Sequence, residues 1–185
     1  MKQDEIVKIL LNKFKSVELS EESYRISNLG KFLEIQNCHF ICEHPYIFKE
    51  ICSNEYDEKW YEDNYFPIIS KQLPKCIELL CDEPDTRRAI LVLADRECYD
   101  KNDFICTEYV QLFLNGNHIK YIVNMRSSDI AKFPTDYNWH LGILNKIKNE
   151  LEDKMGKIYI KDPIEWNAGS LHIYENDIKK IFKNI

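Results

Sequence analysis

Glycine and proline are scarce, five and six among 185 residues. Long flexible linkers, collagen-like arrays and low-complexity architectures are excluded on that count. No stretch approaches the ~20 consecutive apolar residues that a membrane-spanning helix requires. The N-terminal MKQDEIVKILLNKFKSVELSEE carries a charge every few residues, so it lacks the uncharged apolar centre of a secretory leader. Positive charge is also in deficit: 25 Lys and Arg stand against 31 Asp and Glu, a net charge of −6. General affinity for nucleic acid or an anionic membrane surface normally needs the opposite sign. A small anionic ligand remains compatible, because a few arginines in a pocket act locally. What is present is 44% hydrophobic, 12% aromatic and 30% charged, the composition of a chain that folds. At this length a core needs no staples. The expectation is a soluble, cytoplasmic protein with no partner membrane or nucleic acid.

The seven cysteines are Cys38, Cys42, Cys52, Cys76, Cys81, Cys98 and Cys106. Their number is odd and their spacing fits no disulfide framework, so free thiols are expected. Cys38-His39-x-x-Cys42-x-His44 invites a zinc reading. It lies, however, in FLEIQNCHFIC, whose alternation reads as a strand with Cys38, Phe40 and Cys42 on one face and His39 on the other. A second ligand pair is also lacking, so core packing is expected there and no metal.

Apolar spacing predicts helices over 3–15, within 45–63, over 66–81 and over 136–155. Pro74 should kink or interrupt the third of these. Residues 32–42 read as a strand. AILVLAD (89–95) is a continuous apolar run and reads as a buried strand. TEYVQLFLNGNHIKYIVNMRSSD reads as two strands joined by a turn at Asn115-Gly116-Asn117. Strands at 157–161 and 170–175 and a short Lys-rich helix complete the chain. With no repeat and no linker, the reading is a single α+β domain over 1–185, its sheet mostly antiparallel or mixed and crossed by one long helix.

Four segments carry chemistry. Asp85-Thr86-Arg87-Arg88 precedes the apolar run, and arginine forks suit phosphate; a solvated turn is the plain alternative. Cys106 stands just before a strand, and a thiol becomes a nucleophile only as thiolate, beside a cation; a buried structural thiol is its alternative. Met125-Arg126-Ser127-Ser128-Asp129 ends a strand, and Arg126 can serve both a phosphate and a thiolate; a turn begun by Ser127, Ser128 or Asp129 competes. In Ser170-Leu171-His172-Ile173-Tyr174, His172 and Tyr174 share a strand face and can meet a sugar hydroxyl; an ordinary half-buried pair is the alternative.

The order of these segments carries more than any one of them. DTRRAIL, CTEYVQLFL, MRSSD and SLHIYEND, over about 84–176, resemble the thymidylate synthase family, which includes the pyrimidine nucleotide hydroxymethylases. FLEIQNCHFICEHP and Asn64-Tyr65 are weaker echoes, with Phe66 where that family has glycine. The resemblance implies a thymidylate synthase-like fold in which one sheet face serves dimerisation. It implies that Cys106 adds to C6 of a pyrimidine, making C5 nucleophilic toward the one-carbon unit of 5,10-methylenetetrahydrofolate. It casts Arg126, Ser127 and Ser128 as phosphate-side ligands. Arg87 and Arg88 become a pair that reaches the partner's phosphate in a homodimer. Gln111 would support the base, His172 and Tyr174 the ribose, and Asp129 and Tyr65 the folate. The catalytic acid has three candidates: Glu50, Asp57 and Glu58. Arg25 is a distant candidate for the family's phosphate-closing arginine.

Asp136 is the informative departure. Family members acting on uracil carry asparagine at the matching place, allowing a one-residue gap. Cytosine reverses the uracil pattern: N4 donates and N3 accepts. A carboxyl group accepts from N4 and, when protonated, donates to N3, so Asp136 points to CMP or dCMP. Asp136 as N-cap of the long helix is the competing role, and the two are compatible. The chain closes about ten residues after Tyr174, so the resemblance implies that the folate-sealing segment is missing or rebuilt. Water, harmful to hydride transfer, is the reagent of hydroxymethylation. A cytosine-nucleotide hydroxymethylase is the leading expectation. A nucleotide binder without turnover and a compact dUMP methylase are the others. Ribose against deoxyribose stays open, with residues 168–170 near the sugar.

Overall fold

The computed structural model describes residues 25–27, 29–42, 55–94, 105–160 and 164–178. The helix expected over 3–15 lies outside them, as do Cys52, Cys98 and Glu50.

The alternating apolar segments become one sheet. Strand β1 (Arg25–Ser27) and β2 (Gly30–Cys42) form a hairpin. Helices α1 (Glu55–Asn64) and α2 (Phe66–Asp82) follow, then β3 (Ile90–Val92), β4 (Thr107–Asn115) and β5 (His118–Asp129). Helix α3 (Phe133–Met155), β6 (Tyr159–Ile160) and β7 (Ile164–Tyr174) complete the order, and residues 175–178 are helical. The strands lie in the order β1-β2-β7-β5-β4-β3, with β6 alongside β5. The sheet is mixed: β5 runs parallel to β7 and to β6, while the β1–β2, β2–β7, β4–β5 and β3–β4 pairings are antiparallel.

The β4–β5 hairpin forms as expected. Asn115 pairs with His118, and Gly116 takes φ 62 at the first loop position. A positive φ there matches the twist of a two-residue hairpin loop, and glycine adopts it without a Cβ clash.

One face of the sheet is covered by α2 and α3. Ile69, Leu73, Ile77 and Leu80 of α2 and Leu144, Ile147 and Leu151 of α3 bury against Val110, Leu112, Tyr121 and Val123. Helix α2 runs on through Pro74, which faces outward on its exposed side. Helix α3 begins at Phe133, three residues before the expected start, with proline in its opening positions. Gly156 ends it at φ 86 and donates to Glu152 O at 3.0 Å.

The strand expected from the apolar run 89–95 is not buried throughout. Among the described residues only Ile90–Val92 is extended there, at the edge of the sheet they form, with Ile90 37% and Val92 42% exposed. Its outer backbone is met by a side chain: Gln72 Nε2 donates to Val92 O at 2.7 Å, and Val92 N donates to Gln72 Oε1 at 2.9 Å. An amide of α2 thus occupies hydrogen-bonding positions that an edge strand otherwise offers to another chain.

Four neighbouring strands change facing at one level. In β5 the buried positions run Ile119, Tyr121, Val123, Met125, then jump to Ser128. In β7 the buried apolar positions run Ile164, Trp166, Ala168, then Leu171 and Ile173. In β2, Leu33 and Phe40 are of opposite parity, with Asn37 between them at φ 55. In β4 the register shifts between Thr107 and Tyr109, around Glu108. Asn37, Gly169, Arg126 and Glu108 form one line across the sheet, each where its strand switches sides.

Candidate active site

The line of switched positions brings Cys106 and Arg126 together. Arg126 N donates to Cys106 O at 2.9 Å, Arg126 Nε donates to Ile105 O at 3.3 Å, and Nη2 lies 3.8 Å from Cys106 Sγ. The Nε contact to the Ile105 carbonyl aims the guanidinium at the sulfur. A planar cation beside a half-buried sulfur is the arrangement that a nucleophilic thiol requires. Gly169 lets β7 pass close to the Arg126 backbone, since a Cβ there would stand 3.0 Å from Arg126 O.

Behind the cysteine lies a buried polar group. Tyr65, at the break between α1 and α2, is 1% exposed, and its hydroxyl meets Thr107 and the Cys106 backbone. Burial drives the Tyr65 phenol well above its usual range, so it remains protonated. Thr107 Oγ1 lies 3.3 Å from His140 Nε2, and His140 Nδ1 lies 3.1 Å from Tyr121 Oη. His140 is fully buried, and that burial lowers its pKa to about 3. It is a neutral imidazole bridging two hydroxyls.

Asp136 occupies the first turn of α3 and is 5% exposed. The N-cap position belongs to Lys132, which makes no side-chain cap bond, so the N-cap role read for Asp136 gives way to a place inside the helix. The reason is Pro134: its fixed φ starts the helix early. A carboxylate in the first turn also suits the positive end of the helix. Tyr61 Oη of α1 donates to Asp136 Oδ1.

A third group gathers where β2, β5 and β7 adjoin. Asp129 pairs in register with His172, and His172 with Glu34. His172 is 8% exposed and packs against Tyr174 at 5.3 Å and Phe32 at 5.7 Å between ring centres. Burial lowers the His172 pKa, opposed by the Asp129 and Glu34 carboxylates. Burial raises the Asp129 pKa, opposed by a hydrogen bond from Ala131 N at 3.0 Å and by His172. That bond makes Asp129 the residue of MRSSD that opens the turn into α3. A hydrogen bond with Ser170 holds the Glu34 carboxyl below its usual range. Arg25, the distant phosphate candidate, forms an ion pair with Glu34 at 2.8 Å. Ser127 is half-buried opposite Ser170, whereas Ser128 Oγ is buried with no hydrogen-bond partner among the described residues.

Other expected site residues stand apart. Arg87 and Arg88 are exposed on the turn before β3, with Arg88 on Glu83 at 2.5 Å. Gln111 donates to Arg87 O at 3.0 Å and so braces this turn. It is level with Ile122 of β5 while Cys106 meets Arg126, four residues further on, about 13 Å at the rise of a strand. Asp57 and Glu58 lie in α1. The sequence reading missed Tyr61, Thr107 and His140. The signal for Tyr61 was its i,i+4 spacing to Tyr65, which puts both rings on one side of α1.

No protein-family model matches the chain. It is similar to the deoxycytidylate 5-hydroxymethyltransferases of Enterobacteria phages T4 and T2, with 33% identity over 147 residues, 71% of this chain and 58% of each relative. The enzyme of the same name from phage T6 matches to the same extent. The chain spans somewhat more than half the length of the curated relatives it matches. The family resemblance read from its ordered motifs agrees with them.

Proposed function

We propose that this relative of the deoxycytidylate 5-hydroxymethyltransferases hydroxymethylates C5 of a cytosine nucleotide with 5,10-methylenetetrahydrofolate. One observation carries the reading: a sulfur and a guanidinium 3.8 Å apart, Cys106 and Arg126, in the same fold as a buried carboxyl at Asp136.

Cys106 Sγ adds to C6 of the pyrimidine, and the C5–C6 electron pair moves toward C5. Arg126 supports the sulfur anion before attack and binds the nucleotide phosphate. Asp136 accepts from N4 and, protonated, donates to N3, where negative charge collects after addition. Ser127 and Ser128 supply hydroxyls on the phosphate side. His172 and Tyr174, braced by Phe32 and Glu34, hold the sugar. Tyr65, fixed behind Cys106, keeps the nucleophile's backbone in place. When bound, the folate supplies a one-carbon unit at the oxidation level of formaldehyde. The largely buried carboxyl of Asp129 fits a ligand with N–H donors, and Asp129 would hold it. Among acids, Glu50, Asp57 and Glu58 remain the candidates for proton transfer at C5. Departure of Sγ from C6 restores the ring double bond after water has added to the new carbon.

The fold is read as thymidylate synthase-like and the active unit as a homodimer. The sheet face away from α2 and α3 carries Tyr109, Phe113 and Ile122 half-buried, and Arg87 and Arg88 lie at its edge, far along the sheet from their own Cys106. Arginines so placed serve the phosphate of a partner copy.

Mass spectrometry of CMP, dCMP and dUMP after incubation with the protein and methylenetetrahydrofolate tests the proposal. A hydroxymethyl adduct on a cytosine nucleotide is expected. A methyl adduct on dUMP would replace it with a methylase reading. Saturable nucleotide binding without any product would mark a binder.

A further inference from the structure

We infer that Tyr61 is a positioning residue for base choice, its hydroxyl holding the Asp136 carboxyl in the orientation that reads cytosine. The inference rests on the role proposed above for Asp136.

Tyr61 Oη donates to Asp136 Oδ1 across 75 residues of sequence. Tyr61 is 9% and Asp136 5% exposed, so water competes little for this bond. The Tyr61 ring cannot drift. It stacks on Trp139 at 5.3 Å and 27°, and meets Tyr65 edge-on at 4.9 Å and Trp60 edge-on at 5.5 Å. Trp139 follows Asp136 by three residues, on the same side of α3. One helix therefore presents both the carboxyl and the surface on which its hydrogen-bond donor rests. Tyr65, one turn further along, reaches Thr107 and the Cys106 backbone. The segment 61–65 thus joins the base-reading carboxyl to the nucleophile.

The chemistry of the two bases makes this bond count. Cytosine needs one carboxyl oxygen that accepts from N4 and one that donates a proton to N3; uracil offers O4 as acceptor and N3–H as donor. A phenol that donates to Oδ1 commits that oxygen to accepting, the role that N4–H calls for. A proton carried for N3 is then directed to Oδ2. Removing the phenol takes that constraint from Oδ1, so the proton and the carboxyl are held less firmly in the arrangement that suits cytosine. The preference for cytosine falls accordingly.

Tyr61→Phe keeps the ring and its stacking and removes only the donor. Calorimetric dissociation constants for dCMP and dUMP would be measured on the full chain, wild type and variant. The expected result is dCMP affinity lower by about tenfold, the scale of one buried hydrogen bond, with dUMP affinity unchanged. In an Asp136→Asn background, Tyr61→Phe should add nothing to the dCMP:dUMP ratio. Trp139→Phe, which loosens the stack without touching the phenol, should move the ratio the same way by less, and gives a second reading should Tyr61→Phe fold poorly. A wild-type preference for dCMP that survives both Tyr61→Phe and Trp139→Phe overturns the inference alone. A wild type with no preference overturns it together with the role of Asp136.

Discussion

Arg126 is tied to Cys106 at both ends, its backbone N–H donating to the cysteine carbonyl at 2.9 Å and its Nη2 standing 3.8 Å from the sulfur. Strand pairing and side-chain charge thus act on one residue. Cys106→Ser removes the nucleophile but little volume. Product formation should fall by at least about a thousandfold, while calorimetry should find nucleotide affinity within a few fold of wild type. Arg126→Lys keeps a charge but loses the planar fork, and nucleotide affinity should drop about tenfold. A serine variant with full activity would remove the covalent route.

Asp136 gives the second prediction. Asn donates and accepts at fixed atoms, a pattern that fits the uracil edge. Asp136→Asn should lower turnover on dCMP by about a hundredfold or more and raise relative affinity for dUMP. Competition between the two nucleotides for one preparation reads the change directly. An unchanged ratio would take base reading away from this residue.

A third prediction concerns acid. His140 takes a proton near pH 6.5 in the unfolded chain but only near 3 in the folded one. Between those values the unfolded state binds more protons, so stability is lost as pH falls, by up to ~1.4 kcal/mol per pH unit. The lowered pKa of His172 acts in the same direction. Thermal melting followed from pH 7.5 to 4.5 should show a declining midpoint, and His140→Gln should flatten the slope. A glutamine variant with the wild-type slope would contradict the assignment.

Gly169 supplies the fourth. Its missing Cβ would stand 3.0 Å from Arg126 O and 3.7 Å from Arg126 C. Gly169→Ala must push β5 away by a few tenths of an ångström just where Arg126 departs. A cost of about 1–2 kcal/mol in stability is expected, with a loss of activity larger than that cost explains. Equal melting points and equal kcat/KM for the two proteins would argue against the close approach.

Much of the fold was legible because long elements repeat their pattern often. The NGN turn, the apolar stripe of α2 and the face of α3 each offered several agreeing positions. Residues 90–92 were misplaced because an apolar run shows burial but cannot say which strand lies outermost; exposure of Ile90 and Val92 follows from sheet order. The start of α3 was set late because Asp136 looked like a cap, while Pro134 was the stronger signal. The change in facing was written in the sequence too, as the odd step from Met125 to Ser128. Within the site, Cys106, Arg126 and Asp136 were recognisable by order. Thr107 and His140 were not, since their bond spans 33 residues, and the spacing of Tyr61 to Tyr65 marks a shared helix side but not a partner 75 residues away. Gln111 followed Cys106 closely in sequence, yet five residues of extended chain carried it to Arg87.

The line through Asn37, Gly169, Arg126 and Glu108 works like a crease in folded paper. A crease is shared property: shift it on one strand and its neighbours no longer bend at the same place. An insertion inside any of β2, β7, β5 or β4 would displace that strand's turning point against the other three. It would move Arg126 off the sulfur even if placed several residues away. An insertion beyond a strand's end leaves the crease untouched. Length variation among relatives of this chain should therefore collect in the segments between strands, while the distance from Cys106 to Asn115 and from His118 to Asp129 stays constant.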